Sequence, residues 1–216
     1  MNRVNQMKKF MIYMVLSLLL LTAPAAFATS PAVDFNTYEN AASRYSVQYP
    51  TEWAALSADT LGPLIQQFAG ENGSMFSPDT LEGFPADMSM DVAGISVFLD
   101  ANGSNFSVIP FTFPTTSGTR EAYDTLAAQV ASAYQQTLGG VTLVDSGSVY
   151  AANGAEFIKV RVEYAADGLA MVITTFFQFQ DNRMFQISFT WLATGESDVQ
   201  ALDQIMDTVI SSFSAA

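Results

Sequence analysis

The sequence predicts an α+β fold in which an antiparallel sheet is combined with amphipathic helices. Two long segments repeat apolar residues at helical spacing, and several shorter segments alternate apolar and polar residues as strands do. Turn signals separate most of those strands by only a few residues. Short turns join antiparallel neighbours, and a sheet with an apolar face needs helices to cover it.

The N-terminus has the features of a secretory signal peptide. Arg3, Lys8 and Lys9 precede an apolar run over residues 10–21, and small residues lead to the cleavage pattern Ala26-Phe27-Ala28. The run is shorter than the roughly 20 residues of a membrane span. We expect cleavage after Ala28 and a secreted, extracytoplasmic product without membrane insertion; an uncleaved anchor helix is the alternative.

Cleavage would divide the chain into three parts. Residues 1–28 form the signal peptide, residues 29–34 a flexible lead-in, and residues 35–216 are of the size of a single domain. The chain contains no cysteine, so neither a disulfide framework nor a lipid on cysteine is available.

The first half of the domain begins with a strand and contains a hairpin. Residues 45–49 alternate large apolar and polar side chains before Pro50 and a turn, with Trp53 packing back on the core. Residues 59–68 follow a helical spacing. The segments 92–99 and 106–113 flank Asn102-Gly103, a strong hairpin signal.

The second half of the domain is predicted to contain a helix, a four-strand antiparallel meander and a closing helix. Residues 119–138 place apolar side chains on one helical stripe, and the meander then comprises strands over residues 141–150, 156–164, 169–180 and 184–192. In the second and fourth of these strands one face is expected to be buried and the other wet. The closing helix begins with the capping-box spacing Ser197-Asp198-Val199-Gln200.

The phrase Tyr45-Ser46-Val47-Gln48-Tyr49-Pro50-Thr51-Glu52-Trp53, the aromatic strand ending at Trp191, and the ending Ile210-Ser211-Ser212-Phe213 resemble the PsbP-like families. The resemblance implies an α/β/α sandwich, with the sheet between helices, and a mostly non-enzymatic family that includes photosystem-associated subunits and exported bacterial members of unassigned role. It supplies no catalytic residues. The chain lacks histidine, so the histidine-containing metal sites proposed for plant members cannot be present.

Charge and composition restrict the partners and the chemistry. After removal of the leader, five bases stand against 21 acids, which disfavours nucleic acid and anionic membranes as partners. Without His and Cys the chain cannot form a Ser-His-Asp triad, a thiol nucleophile or a usual structural zinc site. Asp145-Ser146-Gly147 resembles the aspartic-protease element, but those enzymes need two copies, and we predict an ordinary strand that turns at Ser146-Gly147.

We expect no cofactor, with calcium as the one alternative: the interval between Tyr45 and Thr119 contains eight acids and no base, a composition that would suit this ion. A plainly solvated acidic surface is the alternative. The candidate metal ligands are Asp79, Glu82, Asp87 and Asp91.

The same interval contains methionines and phenylalanines without clean periodicity. Such residues can form an adaptable surface for a partner, or they can cover the core. The candidate partner surface consists of Met75, Phe76, Phe84, Met88 and Met90.

These patterns together predict a secreted, non-enzymatic binding or accessory module that presents either residues 71–91 or an exposed sheet edge to a protein partner or an envelope component. The alternatives are a carboxylate-based extracellular hydrolase and a structural component of the cell envelope. A pocket holding two carboxyl groups with separated pKa values would favour the hydrolase.

Overall fold

The computed structural model describes residues 33–57, 60–61, 89–101, 103–112, 120–138, 141–166, 169–192 and 196–216. The predicted signal peptide, and all but the last two residues of the lead-in, lie outside these ranges. In chain order the elements are β1 (Phe35–Asn40), β2 (Tyr45–Pro50), β3 (Ala54–Ser57), β4 (Ser89–Met90), a 3₁₀ helix (Val92–Gly94), β5 (Ser96–Leu99), β6 (Asn105–Thr112), α1 (Arg120–Leu138), β7 (Val141–Tyr150), β8 (Glu156–Ala166), β9 (Leu169–Gln180), β10 (Arg183–Leu192), α2 (Glu196–Ser212) and β11 (Ser214–Ala215).

Within the described residues the strands form two sheets, and all pairs are antiparallel. Eight strands make the larger sheet in the order β3-β5-β6-β10-β9-β8-β7, with β4 added beside β6. The smaller sheet has the order β1-β2-β11. The antiparallel α+β fold predicted from the sequence is therefore confirmed.

Both faces of the larger sheet are covered by other elements of the fold. On one face, here called the α1 face, Leu126, Val130 and Tyr134 of α1 pack with Val160 and Val162 of β8. The opposite face, the α2 face, carries an aromatic core with residues of β2 and α2. Phe106, Phe157, Phe185, Phe189, Trp191 and Phe213 are fully buried there. The resulting arrangement is helix on one side of the large sheet and helix plus small sheet on the other.

Several local predictions are confirmed. Strand β2 ends at Pro50, the Trp53 backbone N–H donates to the Pro50 carbonyl at 3.0 Å, and the Trp53 ring is buried against Phe106 and Trp191. Strands β5 and β6 form the predicted hairpin, and the four-strand meander and both long helices are present. Of the helix predicted over residues 59–68, the structure describes Thr60 and Leu61, which are helical.

Three local predictions were wrong. Val92–Gly94 forms a 3₁₀ helix, and β5 starts only at Ser96. Helix α2 begins at Glu196, so Ser197 lies inside the helix rather than at its N-cap. Strand β7 runs without a turn through Ser146-Gly147, because Gly147 adopts a φ of 149°, a conformation open to glycine, while the strand stays paired with β8.

The wet face predicted for β10 was also wrong. Strand β10 lies between β6 and β9, and Gln186, Ser188 and Thr190 are all buried. Ser188 takes part in a polar network with Thr175 at 3.2 Å and with Gln186 at 3.0 Å, and the Tyr134 hydroxyl of α1 lies 2.8 Å from that of Thr175. Gln186 and Ser188 of this central strand are thus hydrogen-bonded to neighbouring polar side chains within the fold.

The last four residues are held to the rest of the domain. Arg183 donates from Nη1 to the Ser43 carbonyl at 2.6 Å and from Nη2 to the Ala216 carbonyl, while its guanidinium lies 5.0 Å from the Phe185 ring centre. The Ala216 N–H donates to the Arg44 carbonyl at 2.9 Å. None of the helices in the described ranges has the length and apolarity needed to cross a membrane.

Candidate binding edge

Most residues of the predicted partner and metal sites lie outside the described ranges. This holds for Met75, Phe76, Phe84 and Met88 and for Asp79, Glu82 and Asp87. Met90 is described: it pairs with Phe111 in β4 and packs partly buried against the α1-face core. Met90 therefore helps to cover the hydrophobic core on the α1 face.

Asp91 joins the small sheet to the large one. Its carboxylate accepts a hydrogen bond from the Ser43 hydroxyl, and its backbone N–H donates to the Pro110 carbonyl at 2.8 Å. Asn40 donates to the Gly94 carbonyl at 3.3 Å and accepts from the Ser43 N–H at 2.8 Å. Across the described ranges no three acidic side chains come together as a metal site would require. Calcium binding by the four candidate ligands stays a prediction.

An open groove of about 480 Å³ lies between β2 and α2 and is lined by Gln48, Asp207, Thr208, Ser211 and Ser212. The two serines of this lining make structural hydrogen bonds. The Ser212 hydroxyl accepts a hydrogen bond from the Gln48 N–H at 2.9 Å, and the Ser211 hydroxyl accepts one from the Ala152 N–H at 3.3 Å. Asp207 is the one carboxylate in this described lining. Burial, and then the nearby Asp203, raises the pKa of Asp207, whereas Lys159 lowers it.

Strand β7 forms one end of the larger sheet. It is ten residues long and pairs with β8 along one side, and no described strand pairs with its other side. The other end of this sheet is β3, which has only four residues. A long unpaired edge presents a row of backbone N–H and C=O groups to which another chain can pair.

Exposed apolar side chains concentrate on this strand. Leu143 is 37 %, Val144 49 % and Tyr150 69 % exposed, and these are three of the five exposed large apolar side chains among the described residues. The pairing register shifts between Leu143 and Asp145, so Val144 sits in a β-bulge. Val33 and Val92 are the other two, and neither lies on β7.

The register with β8 assigns the side chains of β7 to the two faces. Leu143 lies opposite Val162, and therefore on the α1 face, because directly paired residues point to the same side. Tyr150 lies opposite Glu156, two positions from Ile158, and so shares that face. Asp145 lies opposite Arg161, on the α2 face.

The α2 face next to β7 is charged. Lys159 pairs with Asp145 at 3.1 Å, and Arg161 pairs with Asp203 of α2 at 2.8 Å. Glu163 is exposed on the same face, and Asp207 lies close enough to interact with Lys159. Both bases are thus engaged by acids, and acids outnumber bases at this flank of the edge. The carboxylate of the Asp145-Ser146-Gly147 phrase is thus engaged in an ion pair with Lys159.

Comparison with known proteins identifies the architecture. No protein-family model matches the sequence, and no curated protein matches it in sequence. The solution structure of cyanobacterial PsbP from Synechocystis superposes with a TM-score of 0.51 at 14 % identity, over 89 % of this chain and 98 % of that one. The fold is PsbP-like.

Two further solved structures overlap the PsbP-like fold at TM-scores below 0.5. A Bacteroides thetaiotaomicron protein gives 0.45 at 13 % identity, over 83 % of this chain and 48 % of that one. LpqN, described as involved in cell envelope biogenesis of Mycobacterium tuberculosis, gives 0.43 at 9 % identity, over 85 % of this chain and 91 % of that one.

An exposed sheet edge is among the partner surfaces expected from the sequence, but the sequence does not indicate which strand of this PsbP-like fold forms it. The residues that matter there, Leu143, Val144 and Tyr150, were not singled out. The sequence feature that could have indicated them is the apolar pair Leu143-Val144 directly before Asp145, in a strand that contains no basic residue. A strand without lysine or arginine is poorly protected against pairing with another chain when it lies at a sheet edge.

Proposed function

We propose that this protein is an extracytoplasmic, non-enzymatic binding or accessory module that binds a protein partner by adding a strand of that partner to the open edge of β7. The observation that carries the proposal is found on one ten-residue edge: no described strand pairs with its outer side, and the side chains of Leu143, Val144 and Tyr150 are exposed there. The extracytoplasmic location rests on the leader pattern of residues 1–28.

Strand addition combines two sources of binding energy. The backbone of an extended segment pairs with the N–H and C=O groups of the edge, and its alternate side chains contact apolar residues there. Edge strands are commonly blunted by lysine, proline or short length. Strand β7 has a bulge and one acid but no lysine, proline or arginine, and it is long. These features favour a binding edge over a protected one.

A selection experiment tests this function without knowledge of the natural partner. Random ten-residue peptides displayed on phage would be selected against the exported protein, and enriched peptides would be measured by calorimetry. We expect binding that Val144→Lys weakens by at least about tenfold, equivalent to about 1.4 kcal/mol, because a charge is placed in the apolar contact. Unchanged melting of the variant would show that its fold is intact.

Val92→Lys is the matched control. Val92 is 40 % exposed, comparable to Val144, but lies on the 3₁₀ helix away from β7. Peptides should bind this control as they bind the unmodified protein. Failure to enrich any peptide, or equal loss of binding in both variants, would contradict the proposal.

A further inference from the structure

The two faces of the β7 edge differ in chemistry, and an added strand would meet both. Side chains of a strand alternate between the faces of its sheet, so every second residue of the added segment would lie on the α1 face and the others on the α2 face. On the α1 face these residues would meet Leu143 and Tyr150. That face favours aliphatic or aromatic partners.

The α2 face offers the opposite surroundings. Asp145 belongs to β7 itself and would lie beside the added strand, whereas Glu163 is one strand further in, about 10 Å away by strand spacing. Asp203 and Asp207 extend the negative charge along α2, and the two bases in their midst, Lys159 and Arg161, are each paired with an acid. A distance of about 10 Å is within the range of charge interactions in dilute salt.

We infer that the segment bound by β7 is an extended basic one in which lysine or arginine, on the α2 face, alternates with apolar residues on the α1 face. This inference rests on the proposed function and specifies the partner's chemistry. Charge complementarity of this kind favours one partner over others and speeds association.

A second copy of this chain fits the edge poorly. Strand β7 contains one acid, Asp145, and no base, so pairing β7 with itself would bring two acidic strands together. The exported product, with five bases against 21 acids, is also strongly acidic as a whole. Two like-charged chains repel each other, and most strongly at low salt. The net charge thus favours a cationic protein segment over self-association.

Three synthetic ten-residue peptides with the same apolar residues, and with lysine, serine or glutamate at the alternate positions, test the inference. Binding to the full exported protein would be measured by fluorescence anisotropy at low and high salt. The lysine peptide should bind at least about tenfold more tightly than the serine peptide, its advantage should shrink in high salt, and the glutamate peptide should bind most weakly.

Charge variants locate the effect. Asp145→Asn and Glu163→Gln should each weaken binding of the lysine peptide several-fold and leave that of the serine peptide unchanged. The Asp145→Asn change also removes the ion pair with Lys159 and could disturb the fold. Glu163 has an exposed side chain, so Glu163→Gln tests the charge effect even in that case. Glu39→Gln, on an exposed position of β1, makes the same charge change in the other sheet and should have no effect.

The outcomes separate the inference from the function on which it rests. Serine or glutamate peptides that bind β7 as tightly as the lysine peptide, with sensitivity to Val144→Lys, would overturn the basic partner and leave the binding edge in place. Equal effects of Glu39→Gln and Glu163→Gln would also overturn it, since the attraction would then be unspecific. Absence of any Val144-dependent binding would overturn both the inference and the proposed function.

Discussion

Nη1 of Arg161 lies 2.8 Å from Oδ1 of Asp203, and this ion pair ties β8 to helix α2. The arginine side chain is largely buried between sheet and helix, whereas the aspartate is partly open to water. The neighbouring pair, Lys159 with Asp145, lies on the same face of β8, but its aspartate is more exposed. The two pairs therefore form a natural comparison between an inner and an outer ion pair.

Asp203→Asn should destabilise the protein more than Asp145→Asn. The first change leaves a largely buried guanidinium without its carboxylate and should lower the free energy of unfolding by about 1 to 2 kcal/mol. The second affects an exposed pair and should cost about 0.5 kcal/mol or less. Urea unfolding of both variants measures the difference, and equal effects would show that α2 does not depend on the Arg161 contact.

Gly94→Ala should be among the most damaging single changes in the described part of the chain. A Cβ atom at Gly94 would overlap the Ser43 hydroxyl and the Pro110 ring, where Asn40 and Ser43 fasten the small sheet. We expect a loss of about 3 kcal/mol or more in unfolding free energy, because backbone and core must move apart.

Gly154→Ala is the control for this prediction. Apart from the glycine itself and its chain neighbours, no atom of the described residues lies within 4 Å of a Cβ placed there, and the expected cost comes from the φ of 83°. A left-handed alanine should cost about 1 to 2 kcal/mol. Denaturation curves in which Gly94→Ala is the milder variant would contradict the tight joint at Ser43.

Tyr134 should make stability depend on alkaline pH. Burial raises the pKa of its hydroxyl from 10.0 to about 12, although the hydrogen bond to Thr175 acts in the opposite direction. The folded state thus favours the neutral phenol. The stability linked to this group is fully present below pH 10 and is lost as pH rises from 10 through 12, by up to about 3 kcal/mol.

Tyr134→Phe provides the measurement. At neutral pH it should cost about 1 kcal/mol, since Thr175 loses one of its hydrogen-bonding partners. Above pH 10 the variant should lose stability less steeply than the unmodified protein, so the two unfolding free energies approach each other. Parallel curves across that range would mean that the Tyr134 hydroxyl is not protected by the fold.

Local patterns determined much of this fold from sequence. The alternation Ile158, Val160, Val162 was sufficient to place β8 and its buried face, and the Asn102-Gly103 signal was sufficient for the β5–β6 hairpin. Both depend on near neighbours in the chain. Strand β1, in contrast, was not predicted, because residues 35–40 show no clean alternation and the strand is formed by its pairing with β2.

The errors have a common physical origin in tertiary context. Ser188 and Thr190 are polar residues that usually face water, but the central position of β10 buries them. Ser146 and Gly147 are common in turns, but pairing with Lys159 and Val160 keeps the chain extended. The open edge is itself a property of strand order: the first strand of the meander became the end of the sheet because β10, its last strand, pairs with β6.

Hydrogen exchange of the β7 amides tests the account most directly. With the lysine peptide at saturation, amides within residues 141–150 that point away from β8 should exchange at least about tenfold more slowly, because they become hydrogen-bonded to the added strand. The four-residue edge β3 should show no change, and Val144→Lys should abolish the protection. Peptide binding that leaves exchange in β7 unaltered, or protects a different part of the chain, would contradict strand addition at this edge.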